Sequence, residues 1–173
     1  MYDFKIGSLN VAGCKSPLKI AKVCDFLRGK HLTVAYLQET HSENAREIEW
    51  QKCWGGDVFF SHGSTRSSGV AIGISKQVCP TLVSAYQVIR LRMLKVKVDL
   101  DNIRLVFINV YAPTIGSEIL RFFKCLEHTL SECDPDECVF LDGDFNCTLN
   151  DALDRNHAEP HLRSARELKV LIE

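Results

Sequence analysis

Three residues spaced two apart, Asp142, Asp144 and Asn146, close the stretch Cys138-Val139-Phe140-Leu141-Asp142-Gly143-Asp144-Phe145-Asn146-Cys147. An apolar run that ends in two carboxylates and a carboxamide presents hard oxygen donors, the kind that hold a divalent cation or a phosphate. Alternate side chains of a strand share a side, so all three could project together. Asp, Gly and Asn are equally the residues of an Asx turn that closes a strand, and the stretch alone leaves both readings open. Three other apolar segments end in the same manner: residues 3–11 deliver Asn10, residues 31–38 deliver Glu39, and residues 103–110 deliver Tyr111. Converging tips would combine two carboxylates for a cation, carboxamides for a phosphate, and a phenol to steady the attacking or leaving oxygen. Phosphodiester cleavage requires that combination, with an aspartate able to orient or deprotonate the attacking water. Oxygen donors without a His or Cys cluster favour magnesium or manganese over zinc.

The elements that must position these tips follow from periodicity. Residues 3–11 alternate as a strand, and Ser16 and Pro17 suit the N-cap and first position of a helix over 17–28, with Ile20, Val23, Cys24 and Leu27 on one face. Val34, Ala35, Tyr36 and Leu37 form a continuous apolar run, which suits a strand covered on both sides. A short helix is expected over 43–50, a turn at 54–57 and strands over 58–61 and 70–75, joined by a polar, basic loop at 62–69. Such a loop could touch phosphates or merely connect two strands. Strands over 78–88, 89–99 and 103–110 read as an antiparallel meander with a tight turn at 99–102, and Pro113 stops the last of them at Tyr111. Residues 116–133 carry the strongest helical pattern, with Thr114 or Ser117 available as a cap. Val139, Phe140 and Leu141 then read as a short buried strand, residues 148–159 as irregular, and residues 162–173 as a final helix. The order β-α-β, meander, α-β implies a layered α/β (α+β) sandwich in a single domain over 1–173.

Composition is that of a folded chain: 173 residues, 46% hydrophobic and 25% charged, enough for a sizeable core. A formal net charge of -1 supplies no bulk basic field, so charge neither supports nor excludes a nucleic-acid substrate. Eight cysteines without a C-x-x-C pair read as reduced intracellular thiols and argue against zinc. No apolar run is long enough for a membrane span, no targeting signal is seen, and no small-molecule cofactor is expected.

Five segments, Ser8-Leu9-Asn10-Val11, Leu37-Gln38-Glu39-Thr40-His41, Gly69-Val70-Ala71-Ile72, Val110-Tyr111-Ala112-Pro113 and Gly143-Asp144-Phe145-Asn146, resemble in order the motifs of the endonuclease/exonuclease/phosphatase superfamily. The chain is most similar to the apurinic-type, exonuclease III-like endonuclease domain of LINE-type non-LTR retrotransposons. Ser61-His62-Gly63-Ser64 and Leu153-Asp154-Arg155 match there as well. The resemblance implies a DNase I-like sandwich of two mixed or antiparallel sheets flanked by helices. It implies that Glu39 is the principal magnesium ligand, with Asn10 and Asp144 also at the metal; manganese is a possible substitute. It further implies that Tyr111 contacts the scissile phosphate, Asp144 activates water and Asn146 holds phosphate oxygens. His62, Ser64, Arg66 and Asn109 are candidate substrate contacts. The implied reaction is nicking of DNA to leave a 3′-hydroxyl, which in retrotransposons primes reverse transcription; the substrate implies a nuclear location. The family pattern continues to a Ser-Asp-His motif that this sequence does not contain, and His31, His41, His62, His128, His157 and His161 do not replace it. The domain is therefore expected to lack its C-terminal part and an intact second sheet, with an uncovered sheet edge and weak or no activity in isolation. A catalytically dead remnant and a noncatalytic nucleic-acid-binding module are the alternatives.

Overall fold

Local chemistry accounts for the order of elements in the computed structural model, which describes residues 4–63, 68–78, 80–149 and 162–172. The strands are β1 (Ile6–Asn10), β2 (Val34–Gln38), β3 (Gly56–Ser61), β4 (Val70–Ser75), β5 (Leu82–Ile89), β6 (Met93–Leu100), β7 (Ile103–Tyr111) and β8 (Glu137–Asp144). The helices are α1 (Pro17–Gly29), α2 (Glu47–Trp54), α3 (Gly116–Ser131) and α4 (Leu162–Ile172), with a 3-10 turn, Asn44–Arg46, leading into α2. Two compact units result: Met1–Tyr111 with Asp136–Asp144, and Ala112–Pro135 with Phe145–Glu173. Among the described residues, the first holds every strand together with α1 and α2, and the second holds α3 and α4.

The first unit is an α/β sandwich of two mixed four-stranded sheets, ordered β1-β2-β4-β3 and β5-β6-β7-β8. In each sheet one pair is parallel, β1 with β2 and β7 with β8, and the other pairs are antiparallel. Val34, Tyr36, Val70, Ile72 and Ile74 of the first sheet pack against Leu94, Val96, Val98, Leu100, Leu105 and Phe107 of the second. The outward residues of β2, Ala35 and Leu37, meet Ile20, Cys24 and Leu27 of α1 and Trp50 and Trp54 of α2. Both faces of β2 are thus covered, which explains its unbroken apolar run. Each fully buried aliphatic or aromatic side chain contributes about 1.5–3 kcal/mol.

Ser16 caps α1 as its sequence suggests: its side chain accepts from the Lys19 amide at 3.2 Å, and Pro17 occupies the first turn. Ser16→Ala is expected to cost about 1 kcal/mol. Calorimetry should then show a melting point lower by roughly 2–4 °C.

Four sequence expectations shift. The N-cap of α3 is Ile115, which makes no side-chain hydrogen bond, so neither Thr114 nor Ser117 caps the helix. Trp54 ends α2 instead of opening a turn, because it packs into the core beside Trp50. Strand β5 starts at Leu82, and residues 89–92 form a turn, with the Arg92 amide bonded to Ile89 O at 3.0 Å. β8 is an edge strand, not a buried one: Val139 and Phe140 are each 37% exposed, although Phe140 stacks on Phe107 at 5.5 Å.

Candidate active site at the strand tips

Parallel pairing brings the tips together two by two. Asn10 lies opposite Gln38 in the β1–β2 register, one residue before Glu39, and Tyr111 lies opposite Asp144 in the β7–β8 register. The two pairs then meet. Asn10 Nδ2 donates to Glu39 Oε1 at 2.9 Å and to Asp144 Oδ2 at 3.1 Å. The Tyr111 hydroxyl donates to the same Glu39 oxygen at 3.0 Å. Asn10 is itself oriented by the Ala12 amide, which donates to its Oδ1 at 3.0 Å. Across the register from Val110, β8 passes so close that a Cβ at Gly143 would lie 2.1 Å from Val110 O. With φ at +141° as well, only glycine fits between Asp142 and Asp144.

The tips are strained. Ala12, Glu39, His41 and Ser68 all have positive φ, between 46° and 61°. Such conformations cost about 1–3 kcal/mol each and concentrate where a site over-determines its backbone. Here neighbouring loops hold them: the Gly13 amide bonds to Glu39 O at 2.7 Å, and the Thr40 and His41 amides bond to Gly69 O and Ser68 O, each at 3.0 Å.

Burial, followed by the hydrogen bond to Glu39 and that residue's charge, pushes the Tyr111 phenol up to about 12; Arg92 opposes the shift. The phenol therefore keeps its proton across the neutral range and can donate. Because the folded value lies above the ordinary one near 10, the associated stability is complete below about pH 10 and is lost as pH rises through 12. An ultraviolet titration of the wild type minus Tyr111→Phe should show this phenol ionising near pH 12.

Asn10, Glu39, Tyr111 and Asp144 are thus brought together. Asn146 belongs to the second unit, where its Nδ2 donates to Ala112 O at 2.6 Å. Asp142 accepts from the amide of the next residue, Gly143, at 2.6 Å within β8, a shorter span than the two residues that an Asx turn bridges. Asn109 cannot be a substrate contact: it is fully buried and bonded to Gln38 Nε2, Leu37 O and Ala71 O at 2.8–2.9 Å. His62 is also not displayed on a loop tip. It follows β3 directly, stacks on Phe60 at 4.8 Å, and shares a 2.6 Å hydrogen bond with Glu47. Ser64 and Arg66 lie outside the described residues, as do His157, His161 and the Leu153-Asp154-Arg155 segment.

Three neighbours of the site were not singled out by sequence reasoning. Gln38 carries the buried link to Asn109. His41 Nε2 stands 3.8 Å from Glu39 Oε2, a loose ion pair when the ring is protonated. Arg92 lies over the Tyr111 ring at 5.2 Å. The Gln38-Glu39-Thr40-His41 motif contained the first two, whereas the alternation of Leu91 and Met93 disguised the turn that carries the third.

A hard divalent cation fits the donors present. Two carboxylates from different sheets share one amide donor and supply oxygen ligands, His41 Nε2 stands 3.8 Å from Glu39 Oε2, and Glu39 is 28% exposed, so the cluster opens to solvent. Among the described residues, no group of three or more His, Cys, Asp or Glu side chains is placed to bind a metal.

This fold and this cluster define a class. The chain belongs to the Endonuclease/Exonuclease/phosphatase family, whose model matches residues 7–167. The Transposon TX1 uncharacterized 149 kDa protein of Xenopus laevis is 40% identical over 167 residues, covering 96% of this chain and 13% of that protein. The chain thus spans a small part of its transposon relative. Among solved structures, an AP endonuclease from Archaeoglobus fulgidus superposes with a TM-score of 0.73 at 22% identity, covering 98% of this chain and 70% of that one. D. rerio TDP2 complexed with a single strand DNA product superposes with a TM-score of 0.61 at 18% identity, covering 83% and 60%. The sandwich fold is the one these two structures share.

Proposed function

We propose that this chain is a magnesium-dependent phosphodiester hydrolase acting on DNA, an endonuclease domain that nicks its target and leaves a 3′-hydroxyl. The observation that carries this reading is the single amide of Asn10 bonded to both Glu39 and Asp144, with the phenol of Tyr111 on the same Glu39 oxygen. Glu39, Asn10 and Asp144 would hold the cation. Magnesium or manganese, when bound, neutralises the charge that builds on the phosphoryl oxygens.

The residues of the chain divide the remaining work. Asp144 orients the attacking water and accepts its proton. Tyr111, still protonated at neutral pH, donates a hydrogen bond to a phosphate oxygen as negative charge grows there. Asn10 fixes the spacing of the two carboxylates. Water attacks phosphorus, the bond from phosphorus to the 3′ oxygen breaks, and that oxygen takes a proton from solvent as it leaves, giving a 3′-hydroxyl and a 5′-phosphate. DNA as substrate is supported by the transposon relative and by the DNA-bound structural neighbour. In a transposon protein such a nick would supply a primer end, and a nuclear location is inferred from that DNA substrate alone.

The end chemistry tests the reading. Supercoiled plasmid treated with the chain in magnesium should acquire nicks that a DNA polymerase extends directly. Nicks that are extended only after phosphatase treatment would sink it, since they would carry a 3′-phosphate.

A further inference from the structure

We propose that Arg92 is the positioning residue for Tyr111, holding the phenol in the one orientation that meets Glu39. The inference rests on the nuclease reading above. The ladder between β6 and β7 runs to Met93 opposite Val110. One step further, Arg92 grips Tyr111 three times. The Tyr111 amide donates to Arg92 O at 2.7 Å, an Arg92 guanidinium nitrogen donates to Tyr111 O at 3.3 Å, and the guanidinium carbon stands 5.2 Å from the ring centroid. Main chain and ring face are thereby fixed together, and the hydroxyl end rests on Glu39.

The turn that carries Arg92 is tied to Glu39 from the other direction. The Leu91 amide donates to Ser61 Oγ at 2.8 Å, the Gly69 amide to Leu91 O at 3.1 Å, and the Thr40 amide to Gly69 O at 3.0 Å. Leu91, Gly69 and Glu39 all have positive φ, so the strained loops form one continuous hydrogen-bonded series from the first sheet to the turn before β6. Gly69 leaves no room for variation in that series, because a Cβ there would lie 2.7 Å from Thr40 Oγ1 and 2.9 Å from Gly63 N. Arg92 therefore sets the phenol relative to a loop that also sets Glu39. A planar guanidinium can stack on the ring and donate in its plane at once, whereas a lysine ammonium is a point charge without that geometry.

Kinetics separate positioning from direct contact with a phosphate. A phosphate contact acts on KM and on the salt dependence of binding, whereas positioning acts on kcat. The experiment measures plasmid nicking at several salt concentrations for Arg92→Met and Arg92→Lys, each alone and combined with Tyr111→Phe. It also follows the Tyr111 ring signals in 13C-tyrosine-labelled protein. Arg92→Met should lower kcat about tenfold with KM and salt slope unchanged. Arg92→Lys should restore less than half of that loss, and in the Tyr111→Phe background either substitution should change kcat less than twofold. The Tyr111 ring signals should move in Arg92→Met. A raised KM with a shallower salt slope, an equal loss in both backgrounds, or unmoved ring signals would overturn the proposal. Absence of nicking by the wild type would count against the nuclease reading, and the ring signals would still decide the Arg92 contact.

Discussion

Replacing Glu39 by alanine is expected to reduce plasmid nicking by about a thousandfold, the scale on which a preorganised charge at a phosphoryl centre acts. Glu39 receives both the Asn10 amide and the Tyr111 hydroxyl, so its loss disperses the cluster and not only one ligand. Glu39→Gln sharpens the test: it keeps the shape and an acceptor oxygen but removes the charge, and the same loss is expected. Stability should barely fall, and a small gain would be in keeping with a strained, charge-dense site. Nicking rates and melting curves measured on the same samples would separate a lost ligand from a lost fold. Activity within threefold of wild type in a folded Glu39→Ala protein would remove Glu39 from the mechanism.

Asn109→Leu is expected to have the largest effect on stability, about 3 kcal/mol or more. Its amide bridges two carbonyls of the first sheet, Leu37 O and Ala71 O, while its oxygen accepts from Gln38. Asn109 itself belongs to β7 in the second sheet, so one buried side chain fastens the two sheets just beneath Glu39 and Tyr111. Leucine has similar volume but leaves two carbonyls and the Gln38 amide to find new partners in a dry interior. Thermal unfolding should show a drop of roughly 6–12 °C. Asn109→Asp should be at least as damaging, since it sets a carboxylate against the same two carbonyls. A shift below about 2 °C for both variants would show that the fastening is unimportant.

Much of this site was legible because each functional side chain ends an apolar run, and the runs were readable as strands. Asn10, Glu39, Tyr111 and Asp144 announced themselves by interrupting hydrophobic periodicity at a strand tip. Their convergence was not legible, since it depends on the parallel β1–β2 and β7–β8 pairings, whose partners lie far apart in sequence. Asn109 misled for a physical reason. A polar residue near a strand end reads as a contact group, but its hydrogen-bonding capacity is used up inside the sandwich. β8 misled in the opposite sense. Val139 and Phe140 have core composition, yet an edge position leaves them partly exposed, and hydrophobicity alone does not distinguish edge from centre. Arg92 escaped notice because a turn with one positive-φ residue, Leu91, interrupts an alternation that looks continuous on paper.

We propose that Asn10, Glu39, Tyr111 and Asp144 form one cation-assisted phosphodiester site. The most direct measurement is magnesium-dependent nicking of supercoiled plasmid by the wild type beside a folded Glu39→Ala, Asp144→Ala double variant, with EDTA controls. The predicted result is slow but magnesium-dependent nicking by the wild type that the double variant lacks. Nicking of equal rate by both proteins, or none by a folded wild type, would contradict it.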